Sequence, residues 1–168
     1  MNIGLIVCDE PGERGALKVA LELDERLYNW NIATEIIDLQ DESYDLKNIR
    51  ESEILLIISG HTGPLYNPQL HQFLCDKKSI FRDVRVATVM VTNEPMLAEA
   101  ADRHLRKALK NLSADLLPDH LLVENPDKKF DQHYKLGDTS LDLSFYRFLF
   151  LLAFGQEVNE NEEERKIA

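Results

Sequence analysis

A thiol and a guanidinium stand near the start of the chain, Cys8 and Arg14, separated by the five residues Asp9, Glu10, Pro11, Gly12 and Glu13. Nucleophilic phosphoryl chemistry uses such a pair: a thiolate attacks phosphorus while the guanidinium fork holds the phosphoryl oxygens bidentately. The intervening residues oppose it. Carboxylates raise a thiol's pKa and repel an anionic substrate, and one lying about 4 Å from a phosphate charge costs roughly 4 kcal/mol per unit-charge pair at an effective dielectric near 20. A helix N-terminus returns only ~0.3–1 kcal/mol per interaction. An anion is therefore served here only if Asp9, Glu10 and Glu13 turn outward and Arg14 turns inward. Phosphoryl transfer also needs a general acid, for which Asp127 in "ENPDKK" is a weak candidate. The simpler reading of Cys8 is a buried thiol at the end of a strand.

Other chemistries find less support. The five histidines, His61, His71, His104, His120 and His133, never pair with cysteine or carboxylate at ligand spacing, so no metal site is expected. Neither a Gly-x-Ser-x-Gly elbow nor a Gly-x-Gly-x-x-Gly turn occurs. Cys8 and Cys75 are the only cysteines, too few for a disulfide framework, so reduced thiols are expected. A net charge of −11 argues against nucleic acid and against an anionic membrane as partner. No apolar run reaches the roughly 20 residues of a membrane span, and the first segment lacks a basic leader, so the expected location is cytoplasmic.

The elements that must carry these residues follow from hydrophobic pattern. Strand-like runs recur in "NIGLIVC", "IATEIIDL", "EILLIIS", "VRVATVMV" and "DHLLVE", with helical stretches between most of them. Runs 54–58 and 84–91 are nearly unbroken in apolar residues, as central strands covered on both faces should be. One helix places Ala16, Ala20, Leu23, Leu27 and Trp30 on a stripe, and a later one places Leu97, Ala101, Leu105, Ala108 and Leu112. The expected fold is α/β: a flavodoxin-like, doubly wound, five-stranded parallel sheet with helices on both faces. Residues 1–155 form its one domain, and residues 156–168 an acidic, flexible tail. The last helix, "DTSLDLSFYRFLFLLAF", is apolar around almost its whole circumference. It is expected either to sit in a subunit contact, giving a homodimer or homotetramer, or to pack deeply within one chain. Ligands of such sheets bind outside the carboxyl ends of the strands, which singles out the loops 8–15, 59–67 and 92–95.

Three segments resemble the NADPH-dependent FMN reductase family. "SGHTGPLYNPQLHQFL" is similar to its segment after the third strand, "LRKALKNLSADLLPDHLLV" to its fourth helix and fifth strand, and "KFDQHYKLGDTSLDLSFYRFLFLLA" to its end. The resemblance implies an FMN-binding, NAD(P)H-dependent oxidoreductase passing electrons to a small-molecule acceptor, with no catalytic side chain. It places the phosphate at Gly12, Glu13, Arg14 and Gly15, and the ring at Ser59, His61, Thr62, Gly63, Pro64, Leu65, Tyr66, Asn67, Thr92 and Asn93. Tyr66 is the stacking candidate. The first loop departs from the family, which begins it with Gly-Ser and an Arg where this chain has Cys8 and Asp9, and "TNEP" replaces a Gly-rich stretch after the fourth strand. Two further readings stand beside this one. The first is a protein that kept the sheet and lost the cofactor, serving as a binding or assembly module. The second is a phosphatase, since the Cys-x5-Arg spacing is also that of low-molecular-weight tyrosine phosphatases and arsenate reductases.

Overall fold

The computed structural model describes residues 1–41 and 43–167, with side chains as far as Gly155 except at position 42. In chain order the elements are β1 (Asn2–Cys8), α1 (Gly15–Asn29), β2 (Ala33–Asp38), β3 (Ile54–Ser59), β4 (His61–Thr62), β5 (Leu65–Tyr66), α2 (Pro68–Asp76), β6 (Arg85–Thr92), α3 (Pro95–Asn111), β7 (Asp115–Glu124), α4 (Pro126–Lys129) and α5 (Thr139–Ile167). Five strands make one sheet in the order β2-β1-β3-β6-β7, every neighbouring pair parallel. Counting only sheet strands, that is 2-1-3-4-5, the flavodoxin-like order. The register pairs Cys8 with Ser59 and Ser59 with Met90. Strands β1, β3 and β6 thus end almost level, and their following loops share one edge of the sheet.

Alternation along each strand divides the core between two faces. Ile3, Leu5 and Val7 of β1 pack with Val19 and Leu23 of α1 and Phe145 and Leu149 of α5. Ile6 and Cys8 face Leu70 and Phe73 of α2 and Leu105 of α3. Both sides being covered, β1 and β3 tolerate unbroken apolar runs.

Three details depart from the sequence pattern. The buried side of α3 is Ala98, Ala101, Asp102, Leu105 and Leu109, rotated from the expected stripe. Its centre holds an acid, and Asp102 is accommodated because its Oδ1 accepts the Thr88 hydroxyl at 2.7 Å. Strand β7 begins at Asp115, ahead of the expected "DHLLVE", and includes Pro118, which an edge strand can carry without losing a ladder bond. The middle loop contains a hairpin, β4 against β5, turned by Gly63 at φ 58° and Pro64. Proline cannot adopt positive φ, so only the turn type with its positive φ at the first central residue suits this pair.

Helix α5 lies against α1 and β7. It buries Leu141, Phe145, Phe148, Leu149 and Leu152, while Leu143, Tyr146, Phe150, Leu151 and Phe154 remain exposed on its other side. Where a separate tail is expected, from 156 onward, the side chains lie outside the described residues. Among the described residues no helix is long and apolar enough to cross a membrane.

The start of α1 is fastened from a distance. Arg14, at the cap position, makes no side-chain cap bond. Instead Asp9 reaches back from the end of β1: its Oδ1 accepts the Ala16 amide at 2.7 Å and its Oδ2 the Leu17 amide at 3.0 Å. Two donors that every helix start leaves without intrahelical partners are thereby satisfied. Gly15 lets this turn press into the sheet edge, since a Cβ there would stand 2.8 Å from Pro126 Cγ and 3.1 Å from Val91 Cγ1.

Two outcomes follow from this anchoring. Gly15→Ala is expected to destabilise the fold by about 1–2 kcal/mol in urea titrations, because the proline ring cannot rotate away from the added methyl. Asp9 is expected to titrate above its ordinary value of 3.8, chiefly because it is buried and further because of the Asp38 charge, with the two amides and Arg14 pulling the other way. A folded-state value raised above the unfolded one means that the Asp9 contribution to stability is fullest below 3.8 and is lost as pH rises through the raised value. Carbon-13 NMR of the Asp9 carboxyl checks this; a midpoint at or below 3.8 contradicts it.

Candidate functional site

At the level edge of the sheet a cleft of about 260 Å³ opens between the first, middle and third loops, closed on one side by Pro126. Its floor is the end of β6 at Val91 and Thr92, and its walls include Gly60 and His61. This is the crevice where a doubly wound sheet holds its ligands.

The first loop is shaped by a tight turn, in which the Glu13 amide donates to the Glu10 carbonyl at 2.9 Å, with Pro11 and Gly12 between them. Gly12, at φ 85°, supplies the left-handed conformation such a turn requires at its third residue. Side chains tie this loop to its neighbours. Gln40 Nε2 donates to the Glu10 carbonyl at 3.2 Å, and Asn67 Nδ2 to the Asp9 carbonyl at 3.3 Å. Thr62 donates its hydroxyl to Glu10 Oε1 at 2.6 Å, bracing the hairpin against the first loop.

His61 links the hairpin to the third loop. Its Nδ1 lies 2.8 Å from the Gly63 carbonyl, an acceptor, so that nitrogen carries the proton. The other nitrogen, Nε2, is 2.5 Å from Thr92 Oγ1 and accepts its hydroxyl proton. Thr92 Oγ1 in turn accepts the Glu94 amide at 2.7 Å. The histidine therefore presents no free N–H to the cleft in this tautomer.

Of the residues expected to hold a nucleotide, the cleft gathers Glu13, Gly15, His61, Thr92 and Asn93. The others go elsewhere. Arg14 does not serve the cleft: its Nη1 is paired with Asp38 Oδ2 at 2.7 Å. Tyr66 is no stacking platform, because it is 4% exposed and its hydroxyl meets His71 Nδ1 at 2.6 Å beneath the hairpin. Its ring packs against His104 at 4.9 Å between centroids. Asn67 is buried and caps α2, accepting the Gln69 amide at 2.8 Å. Ser59 is buried and donates to the Gly60 carbonyl. Thr62, Gly63, Pro64 and Leu65 form the exposed hairpin outside the cleft lining, and Gly12 is spent in the turn.

The cleft adds residues outside the expected set, among them Asp9, Glu10, Glu94 and Pro126. The acids were visible as an obstacle in the loop, but nothing local in the sequence marks Pro126, which arrives after β7 and packs on Gly15. Four carboxylates, Asp9, Glu10, Glu13 and Glu94, line the cleft, and among the described residues no lysine or arginine does.

These positions test the fit of FMN directly. A phosphate at the start of α1 would need the amides that Asp9 already holds, and Asp9 is 3% exposed. The cation meant to offset the acids faces Asp38 instead. The residues present therefore do not fit an FMN seated with its phosphate on α1. They fit a thiol phosphatase no better: Cys8 is fully buried and burial pushes its pKa up to about 12, so the thiolate that phosphoryl transfer needs is suppressed. Among the described residues no cluster of histidine, cysteine or carboxylate could hold a metal ion.

No protein-family model matches the chain, and no curated protein matches it in sequence. Its likeness to solved structures is one of shape. FerB from Paracoccus denitrificans, a flavoenzyme NAD(P)H:(acceptor) oxidoreductase, superposes with a TM-score of 0.70 at 11% identity, over 88% of this chain and 92% of FerB. Oxidised flavodoxin 1 from Bacillus cereus gives 0.59 at 16% identity, over 74% of this chain and 84% of its own. The Fusobacterium nucleatum flavodoxin bound to flavin mononucleotide gives 0.54 at 12% identity, over 74% and 80%. Strand order and superposition agree that the chain has the flavodoxin-like fold.

Proposed function

We propose that this protein is a binding module of flavodoxin-like fold whose nucleotide-phosphate seat is closed by its own carboxylate. The observation that carries the reading is the pair of hydrogen bonds from the Ala16 and Leu17 amides to Asp9. In place of an exchangeable anion the fold has built in a tethered one. The acidic lining extends that exclusion to other anionic ligands, since each additional carboxylate repels them.

A second reading keeps the flavin: an FMN-binding oxidoreductase that takes hydride from NAD(P)H and passes electrons to a small-molecule acceptor. It is supported by the likeness to FerB, and by Thr92, Asn93 and His61 lining the crevice at the strand ends. It requires Asp9 to surrender the two amides, so the readings differ in a measurable quantity.

The purified full chain is expected to be colourless and to leave FMN fluorescence unquenched up to about 100 μM, and Asp9→Ser, checked for folding by circular dichroism, to bind FMN at least ~10-fold more tightly. Yellow protein, or wild-type FMN binding below about 1 μM with FMN-dependent NAD(P)H oxidation, would establish the second reading instead. Native protein is also expected to react with Ellman's reagent at Cys75, which is exposed, and at Cys8 only after unfolding.

A further inference from the structure

We propose that the outer face of α5 is a self-association surface, meeting the same face of a second copy of this chain about a two-fold axis. The inference is independent of what the cleft binds. Among the described residues ten large apolar side chains are exposed, and five of them lie on this one helix face: Leu143 at 50%, Tyr146 at 52%, Phe150 at 47%, Leu151 at 46% and Phe154 at 38%. The other five, such as Met96 and Leu65, lie outside α5, and no more than two of them, Leu21 and Tyr28 of α1, share an element.

The face is ordered before any partner arrives. Tyr146 and Phe150 stack at 6.3 Å between centroids, Phe150 and Phe154 lie at 5.3 Å, and Trp30 from the end of α1 meets Tyr146 edge-on at 5.7 Å and Phe154 at 5.8 Å. Rings that already restrain one another have less rotamer freedom to lose on docking. From Leu143 to Phe154 the strip is about 17 Å long at the rise of an α-helix. At their exposures its five side chains present on the order of 450 Å² to water, within the size range of apolar patches that mark contact sites. Two copies face to face would bury at most about 900 Å² from these residues, and the flanks with Trp30 supply the rest of the ~1,000 Å² that specific interfaces clear.

Charge limits where two copies can meet. The chain carries −11, so two copies repel one another over most approaches. Between Leu143 and Phe154 the sole charged residue is Arg147, and the nearest acid on the helix, Asp142, is already paired with Arg26 at 2.5 Å. A second copy brings the same carboxylate-free strip, and the contact is isologous, each residue meeting its counterpart's neighbours symmetrically.

The test is sedimentation velocity on the full chain at about 5 and about 100 μM, where mass action separates a dimer from a monomer. The wild type is expected to sediment as twice 19.3 kDa, with a blue shift of emission from its one tryptophan, Trp30, as concentration rises. Added salt should tighten the dimer by screening the like charges. Phe150→Glu and Leu143→Glu, each with a native circular dichroism spectrum, should be monomers at the higher concentration, a loss of at least ~30-fold in affinity. Met96→Ser, on a side chain 87% exposed on α3, should leave the dimer intact. A tetramer that both acidic variants cut to dimers would also support the face. A wild-type monomer at the higher concentration, or assemblies unchanged in both acidic variants, overturns the proposal. A wild-type monomer that floats with phosphatidylcholine vesicles overturns it in favour of a lipid surface.

Discussion

One carboxylate accepting two backbone amides governs the first third of this molecule. Helix α1 has no acceptor at its own cap position, so the donors of its first turn depend on Asp9. Asp9 is placed by the end of β1, a strand buried on both faces whose register is fixed by β2 and β3. The sheet therefore positions the acid, and the acid positions the helix. Burial of that charge is unfavourable in itself, and the nearby Asp38 adds to the cost. The two amides and the field of Arg14 offset it. Removing the acid would leave buried donors without partners, which costs about 1–3 kcal/mol for such groups.

The same bond fixes the polarity of the cleft. A helix N-terminus at a strand-to-helix turn is a place where anions collect, because the unpaired amides and the dipole both favour negative charge. Here the negative charge belongs to the chain. Several other polar groups of the three loops are committed to one another: Glu10 to Thr62, His61 to Gly63 and Thr92, Thr92 to the Glu94 amide, Asn67 and Gln40 to loop carbonyls. The shape of the crevice is held by these internal bonds and does not wait for a ligand to satisfy it. The likeness to FerB and to a flavodoxin bound to flavin mononucleotide gives the fold, and the chemistry has to be read from the residues in the crevice.

Fold and site were unequally legible in the sequence. Strand β1 and the interior of β3 could be read because apolar runs bounded by turn residues have few alternatives, and the parallel order followed from strands alternating with helices. The α3 stripe was misplaced because binary patterning assigns an acid to water, whereas Asp102 is drawn inward by a hydroxyl on β6. The hairpin after β3 is not legible in the sequence, since two-residue strands carry no period. In the site, the acids of the first loop could be counted but not oriented: whether Asp9 faces water or the helix amides depends on a contact seven residues away that spacing does not encode. Arg14 and Tyr66 take partners that spacing does not encode either. Each is suited by type to a ligand, and each is claimed by a tertiary partner, Asp38 in one case and His71 with His104 in the other.

The distribution of charge relates the closed crevice to the apolar outer face of α5. With 30 acidic residues against 19 basic ones, the chain must place many carboxylates, and the carboxyl edge of its sheet takes four of them around one cleft. Repulsion between such surfaces acts over roughly a Debye length, about 8–10 Å in physiological salt, whereas apolar contact acts only on touching. Close approach is then limited to regions where carboxylates are sparse and water-exposed carbon is dense. On α5 between Leu143 and Phe154 both conditions meet, with the buried side of the same helix anchored by Phe145, Phe148 and Leu149 in the core. A helix so fixed on its inner face presents its outer face as a rigid surface, and it is rigidity together with exposed area, more than hydrophobicity alone, that distinguishes an interface from a patch of stray apolar side chains.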